Sequence, residues 1–576
     1  MQSERPAQII RNVAQEFSEI FPEVIVKALT LVIIVLITVV RGADRLFTPQ
    51  FWAEDGAVFF QEAYHYPFFN SVLRGYNGYY HLIPRVIAEF ATLFRLELAP
   101  TVFVLASFAC VVFTCAFFLS DAFSWFIPNV VYRATYCILL AAIPANDEIF
   151  LRFVNMQWYL SIICFLLLLM QIPEGLLGRI YYIIGWFILA FTVPYSIIFT
   201  PWLVLRAVLE RLNRRTLLCA GAATLITTFV VIYQRLAGTY VHSPAAEGSV
   251  SLSFINLFVM RVLVTTIAGY VFIQARMTGS KFTYVYLWYI PYFILNIVFI
   301  VKCIQKKAYA KIITWLYIIY STTVPILLTL FGRTEIINGS QNINILLYGQ
   351  RYFILPIAAL YLLIVWWVAT LELPRWTYVI KLAVLVSVIA ALVPDFYPPT
   401  SSDRQWRAQA QRIERGEIED QVDPLIIPIN PLGWSMTIFP KALLTRINDL
   451  QIQSQSARGN FEQADVEQSE TPGQVLRYQE AFAAGWAIPS HGSSAKEVIV
   501  VDWSEHEVLA RTTVNIARQD VAQSAGDSSL LFSGWRATFP VSQMKSGQHR
   551  LQAFLLDSNT MHVFPIPGEH IIHIPE

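Results

Sequence analysis

Charge is what this chain has least of. Asp, Glu, Lys and Arg make up 14% of its 576 residues, where a soluble globular protein carries about 25%. So few charges cannot cover a water-facing surface of that length. The charges present are balanced, 41 basic against 40 acidic, which leaves no basic face for nucleic acid. Cysteine is scarce as well. Cys110, Cys115, Cys137, Cys164, Cys219 and Cys303 all lie in or beside apolar runs, without CxxC or Cys/His spacing, which argues against a structural zinc site. No GxGxxG or Walker A pattern occurs, so nothing points to a nucleotide held on a glycine-rich loop. The polar start, Met1–Glu23, runs into an apolar stretch with no A-x-A exit, which predicts an uncleaved first span.

Apolar residues are abundant instead, at 56%, with 15 Trp, 27 Tyr and 40 Phe and a mean hydropathy of +0.51. This predicts a polytopic α-helical membrane protein and excludes disorder over most of the length. A span needs roughly 20 mostly apolar residues. Runs of this kind predict about eleven spans: Val24–Val40, Thr101–Leu119, Ala134–Ala145, Trp158–Gln171, Ile180–Val193, a run around Trp202, Thr216–Tyr233, Tyr284–Val301, Ile312–Leu330, Phe353–Val368 and Tyr378–Val393. His81–Leu98, with Arg85, Glu89, Arg95 and Glu97, reads as an interfacial helix, and so does Ser253–Gln274 with Arg261. With a cytoplasmic N-terminus, eleven spans put the clusters Arg206/Arg211/Arg214/Arg215, Lys302/Lys306/Lys307/Lys311 and Arg375/Lys381 on the cytoplasmic side. The long loops Arg41–Pro100, Pro144–Gln157, Arg235–Phe282 and Gly332–Tyr352 then face outward. Function is expected there.

After Val393 the texture changes. Residues 1–395 read as the membrane domain and 396–424 as a polar, helical linker. Residues 425–576 read as a soluble all-β sandwich on the outer face, from short runs such as Lys496–Trp503, Val508–Ile516 and His549–Leu556 separated by turn residues. Without cysteine it must hold together by its core, which a domain of about 150 residues can do. Its expected role is to handle the acceptor, because Asp502, Asp520 and Asp557 form no paired acidic motif.

The first outer loop carries Phe51-Trp-Ala-Glu54-Asp55-Gly56, two adjacent acids bracketed by aromatics. A carboxylate at the bilayer surface can take a proton from a sugar hydroxyl or hold a divalent ion; the other reading is a helix cap. The loop goes on through Tyr79, Tyr80 and His81 to Arg85, groups that stack on sugars, hydrogen-bond them or pair with phosphate. The other reading of these is an aromatic interface belt with a snorkelling arginine. The second outer loop has another acidic pair, Asp147 and Glu148, then Asn155, Gln157 and Trp158 opening a span. The last outer loop ends in Arg351-Tyr352-Phe353, where a guanidinium fork suits a phosphate. Arg333 is a second cation there.

The strings Trp52-Ala-Glu-Asp-Gly56, His81-Leu-Ile-Pro-Arg85, Asn155-x-Gln-Trp158 and Arg351-Tyr-Phe353 resemble a bacterial branch of the GT-C superfamily, integral-membrane glycosyltransferases that use polyprenyl-phosphate sugars. Pro431-Leu-Gly-Trp-Ser-Met436, Gly485-Trp-Ala487, Arg518-Gln-Asp-Val521 and Gly547-Gln-His549 resemble a β-sandwich attached to such enzymes. The resemblance implies a location in the bacterial inner membrane and a polyprenyl-phosphate-linked donor. It also implies a cell-envelope glycan or lipid-linked glycan as acceptor, and inversion at the anomeric carbon. Asp55 maps onto the superfamily's base or metal ligand, with Glu54 beside it and Asp147 or Glu148 as a second acidic site. Arg351, Arg85 and Arg333 would take the donor phosphate, and Tyr79, Tyr80, His81, Asn155, Gln157, Trp158 and Tyr352 the sugars. The resemblance leaves a requirement for Mg or Mn open, with Asp55 as the ligand if there is one. A glycan ligase would use the same groups. A transporter or flippase of lipid-linked glycans would need ionisable groups near mid-span, whereas here the charges gather at the outer ends.

Overall fold

The computed structural model describes residues 5–65, 68–76, 79–144, 148–236, 257–269, 289–332, 349–370, 393–414, 425–438, 451–453, 455–468, 479–488, 497–505, 507–541, 544–557 and 562–574, with 254, 255, 386 and 389. Five helical segments among them are long and apolar enough to cross a membrane: Pro22–Arg41, Leu96–Leu119, Arg211–Tyr233, Tyr309–Leu330 and Gln350–Thr370. Six more are apolar but shorter: Val130–Ala141, Met156–Leu167, Leu176–Ala190, Pro194–Leu209, Phe258–Ala268 and Tyr292–Gln305. At 1.5 Å per residue a helix of 10–17 residues reaches about 15–25 Å, short of a hydrocarbon core of about 30 Å. Most of the expected span Tyr378–Val393 lies outside the described residues.

The chain divides into two compact units. The first comprises Met1–Trp52, Val72–Ile87 and Pro100–Ser402, the second Ala53–Ser71, Ala88–Ala99 and Asp403–Glu576. In the first unit we number the principal helices α1 (Arg5–Arg41), α2 (Ala99–Ala116), α3 (Val130–Ala141), α4 (Met156–Leu167), α5 (Leu176–Ala190), α6 (Thr200–Leu209), α7 (Arg214–Leu236), α8 (Tyr289–Gln305), α9 (Tyr309–Gly332) and α10 (Ile354–Thr370).

Helix α10 is apolar on every face, and each residue from Ile354 to Trp367 is buried, as such a sequence requires. It packs on α3, α4 and α9, and Trp366 meets Phe126 and Phe299 at 4.8 Å between ring centres. Helix α4 is likewise buried throughout. Arginines close the helix ends, where carbonyls lack intrahelical partners. Arg41 donates to the Ala141 and Ile143 carbonyls at the end of α3, at 3.0 and 2.6 Å. Arg206 donates to the carbonyls of Leu168 and Met170 beyond α4, at 3.1 and 2.8 Å.

Within the expected interfacial segment Ser253–Gln274, the stretch Phe258–Val264 does not lie on a surface: it is a π-helix buried along its whole length including Arg261, and it continues as the short α-helix Thr265–Ala268.

The second unit holds helix α11 (Trp406–Glu414) and strands β1 (Leu425–Ile429), β2 (Trp434–Ile438), β3 (Gln451–Ile452), β4 (Arg458–Gln468), β5 (Gln479–Ile488), β6 (Glu497–Asp502), β7 (Glu507–Thr513), β8 (Gly534–Pro540), β9 (Gly547–Asp557) and β10 (His562–Ile574). A five-stranded sheet runs β3-β10-β9-β6-β7, a three-stranded sheet β4-β5-β8, and β1-β2 form a hairpin. Both larger sheets feed one apolar core: Phe461, Ala483 and Trp535 from one, Val500, Leu555 and Ile572 from the other. All pairings are antiparallel except that of the two-residue β3 with β10. Gly485 has no room for a side chain, since a Cβ there would stand 2.2 Å from the Asn460 carbonyl and 2.9 Å from Trp535. That explains the glycine of Gly485-Trp-Ala487 by packing. A helix the sequence did not announce, α12 (Gln519–Ala525), crosses before β8.

Candidate functional site

The site in the first unit starts at the head of α4. Asn155 stands at the N-cap but caps nothing with its side chain. Its Nδ2 donates to the Glu148 carbonyl at 2.7 Å, and its Oδ1 accepts from Trp158 Nε1 at 3.2 Å. The amide therefore fixes the acidic loop and the indole together. Trp158 in turn takes Tyr352 and Tyr195 edge-to-face, each at 5.2 Å, and Tyr195 shares a 3.0 Å hydrogen bond with Thr329 of α9.

Arg351 arrives from the far end of the unit. Gly349 has φ +70 and opens the 3-10 turn Gln350–Phe353, a left-handed conformation that glycine adopts without strain. The turn sets Arg351 Nη1 3.1 Å from Glu148 Oε1, with both side chains about a fifth exposed at 22% and 23%. The Arg351 backbone N–H also points at Glu148 Oε2, at 3.4 Å, and the guanidinium lies 5.2 Å over the Tyr352 ring. Glu148 is thus an ion-pair partner rather than a helix cap.

Gln157, the neighbour of Trp158 on α4, carries a second set of contacts. Tyr79 OH donates to its Oε1 at 3.0 Å, and the Tyr79 ring stacks on His81 at 4.1 Å. His81 and Arg85 are both buried. Burial, with the Arg85 charge adding to it, pushes the His81 imidazole down to about 3, so it stays neutral at physiological pH. Tyr80 points elsewhere and stacks on Phe191 at 5.8 Å. Two sets of side chains therefore meet the head of α4: Glu148, Asn155, Trp158, Tyr352 and Arg351 in one, Gln157, Tyr79, His81 and Arg85 in the other. Asp147 and Arg333 lie outside the described residues.

Two further arginines of this unit lie over aromatic rings, and the sequence alone assigns neither to the site. Arg152, one turn beyond Glu148, lies 3.6 Å over the Trp52 ring. Arg261 lies 4.6 Å over the Phe353 ring. An arginine inside an apolar run can be a functional signal, but by sequence Arg261 reads only as part of an interfacial helix.

In the second unit, Glu54 is the N-cap of a π-helix, Asp55–Phe60, and makes no side-chain capping bond. Asp55 is buried, 3% exposed, and so is every residue to Phe60. A buried acid at the head of a helix can serve as a base once a hydroxyl reaches it. Among the described residues, no three His, Cys, Asp or Glu side chains gather as a metal site.

No protein-family model matches this chain, and no curated protein matches it.

Proposed function

We propose that this protein transfers a sugar from a polyprenyl-phosphate donor to a hydroxyl of a cell-envelope or lipid-linked glycan, on the outer face of a bacterial inner membrane. The observation that carries this reading is the Glu148–Arg351 pair, partly exposed, with Asn155, Trp158 and Tyr352 joined to it. Aromatic rings and amides are the groups that hold sugars, and a guanidinium fork is the group that holds phosphate. A phosphate would replace Glu148 as the partner of Arg351.

In the proposed step Asp55 takes the proton of the acceptor hydroxyl. The oxygen forms a bond to the anomeric carbon, and the bond from that carbon to the phosphate oxygen breaks. The lipid phosphate leaves with the electron pair, and Arg351 stabilises its charge, usually a large catalytic contribution. Inversion follows from attack opposite the leaving group. Eleven spans, a cytoplasmic N-terminus and an outward C-terminal β region belong to the same proposal.

The test is purified protein in lipid with labelled polyprenyl-phosphate sugars and glycan acceptors. Label appearing on the acceptor, with release of polyprenyl phosphate, supports the reading. Movement of the intact lipid-linked sugar across the bilayer, without transfer, would replace it with a transporter.

A further inference from the structure

The π-helix Asp55–Phe60 runs on as the α-helix Gln61–His65, and a helical stretch of so few turns is marginal by itself because nucleation is costly. The helix Asp55–Phe60 therefore takes its position from its neighbours within the second unit, and those neighbours come from the chain beyond the last membrane segment. Ala53 N–H donates to the Asn430 carbonyl at 2.5 Å, in the bend that joins β1 to β2. Ala53 itself has φ +47, a left-handed conformation that costs a non-glycine residue free energy and persists only where its surroundings impose it. Its own carbonyl accepts from Ala57 N–H at 3.1 Å, so the strained residue starts the helix.

The other end is held by the linker helix. Phe60 meets Trp406 edge-to-face, 6.4 Å between ring centres, and Trp406 is 3% exposed. The Trp406 indole donates to the Leu96 carbonyl at 3.2 Å. Gln411 Nε2 of the same helix donates to Glu97 Oε2 at 2.7 Å. Arg404 Nε donates to Asn430 Oδ1 at 3.3 Å and so ties the hairpin bend to the linker. Residues 404–414 and 425–438 act as a strap that grips the segment on either side of Asp55, at Phe60 and at Ala53.

We infer that this strap, through the Asn430 peptide and the Trp406 ring, positions Asp55 for proton transfer, so that the chain after residue 402 is needed for the chemical step with every acceptor and not only with large ones. The inference rests on the reading of Asp55 as the base. Asn430 and Trp406 are positioning residues, and their effect should fall on kcat rather than on donor KM.

The experiment uses the full chain in lipid with four changes: Trp406→Ala, Trp406→Phe, Ala53→Pro and Asp55→Asn. Ala53→Pro removes the N–H and cannot adopt the positive φ. Hydrogen exchange over residues 53–60 reads the strap directly, and kcat and KM with a short acceptor read its consequence. Trp406→Ala should speed exchange there and lower kcat by about 10²-fold, as a misplacement of about 1 Å does, with donor KM unchanged. Trp406→Phe keeps a ring against Phe60 and should restore most of kcat. Ala53→Pro should resemble Trp406→Ala, and Asp55→Asn should be at least as impaired while exchange stays slow.

Unchanged exchange in both Trp406→Ala and Ala53→Pro would overturn the strap while leaving the base in place. Faster exchange with normal kcat, alongside an inactive Asp55→Asn, would overturn its positioning role alone. An active Asp55→Asn would remove the base and this inference with it.

Discussion

Glu148 and Arg351 are 203 residues apart in the chain and meet at 3.1 Å. Each side chain is about a fifth exposed. A pair that reaches solvent contributes little to stability, and in the proposed function the donor phosphate takes the place of Glu148.

Arg351→Ala should therefore lower donor use by about 10²- to 10³-fold, the cost of losing one stabiliser of a developing anion. Arg351→Lys keeps the charge and loses the fork, and should fall in between. Glu148→Gln removes the competing carboxylate, so donor KM should drop. Steady-state kinetics on the three variants decide this, and equal donor KM in Arg351→Ala and wild type would make the arginine an interfacial anchor.

Asp55→Asn conserves shape and removes the proton acceptor. Transfer should fall by roughly 10²–10⁴-fold with unchanged expression and thermal unfolding. Normal turnover would reduce Asp55 to the head of a buried helix.

His81 lies outside the helices long and apolar enough to cross a membrane, and its folded pKa of about 3 is below the unfolded value near 6.5. As pH falls below about 6.5 the unfolded chain takes up a proton that the native one refuses. The stability held above that pH is then lost progressively toward pH 3. Thermal unfolding of the wild type should decline more steeply between pH 7 and 4 than that of His81→Gln. Parallel profiles would show that His81 is not held neutral.

The histidine of Gly547-Gln-His549 has a different task. Its Nδ1 lies 2.6 Å from Asp502 Oδ2 and its Nε2 2.6 Å from the Lys545 carbonyl, while Asp502 Oδ1 accepts from the Ser504 amide at 2.8 Å. Both side chains are buried, and the chain of hydrogen bonds ties β9 to β6 and to the turn before it. His549→Ala strands a buried carboxylate and should destabilise the sheet region by about 3–5 kcal/mol. Replacing both partners, Asp502→Leu with His549→Phe, should recover most of that loss. Exchange protection on β6 and β9 in the full chain measures both, and full protection in His549→Ala would refute the assignment.

Much of this molecule is local information. Apolar runs announced the helices, because burial on all faces and apolar composition on all faces are the same fact for α4 and α10. The short β-rich runs Lys496–Trp503 and His549–Leu556, separated by turn residues, announced β6 and β9, and β6 reads as a continuous apolar run because both of its faces are buried. The acids of the first two loops and Arg351 were visible as charges where charge is scarce. What no window of sequence holds is partnership. Only packing decided that Glu148 answers Arg351, that Asn155 braces an indole instead of capping a helix, and that residues 53–71 and 88–99 join the unit of the C-terminal sheets. Arg261 needed the fold for the same reason, because a π-helix buried on every side and a helix lying on a surface can share one composition. Ion pairs and buried hydrogen bonds are chosen by distance in space, and that distance is set by the whole fold rather than by neighbours in the chain.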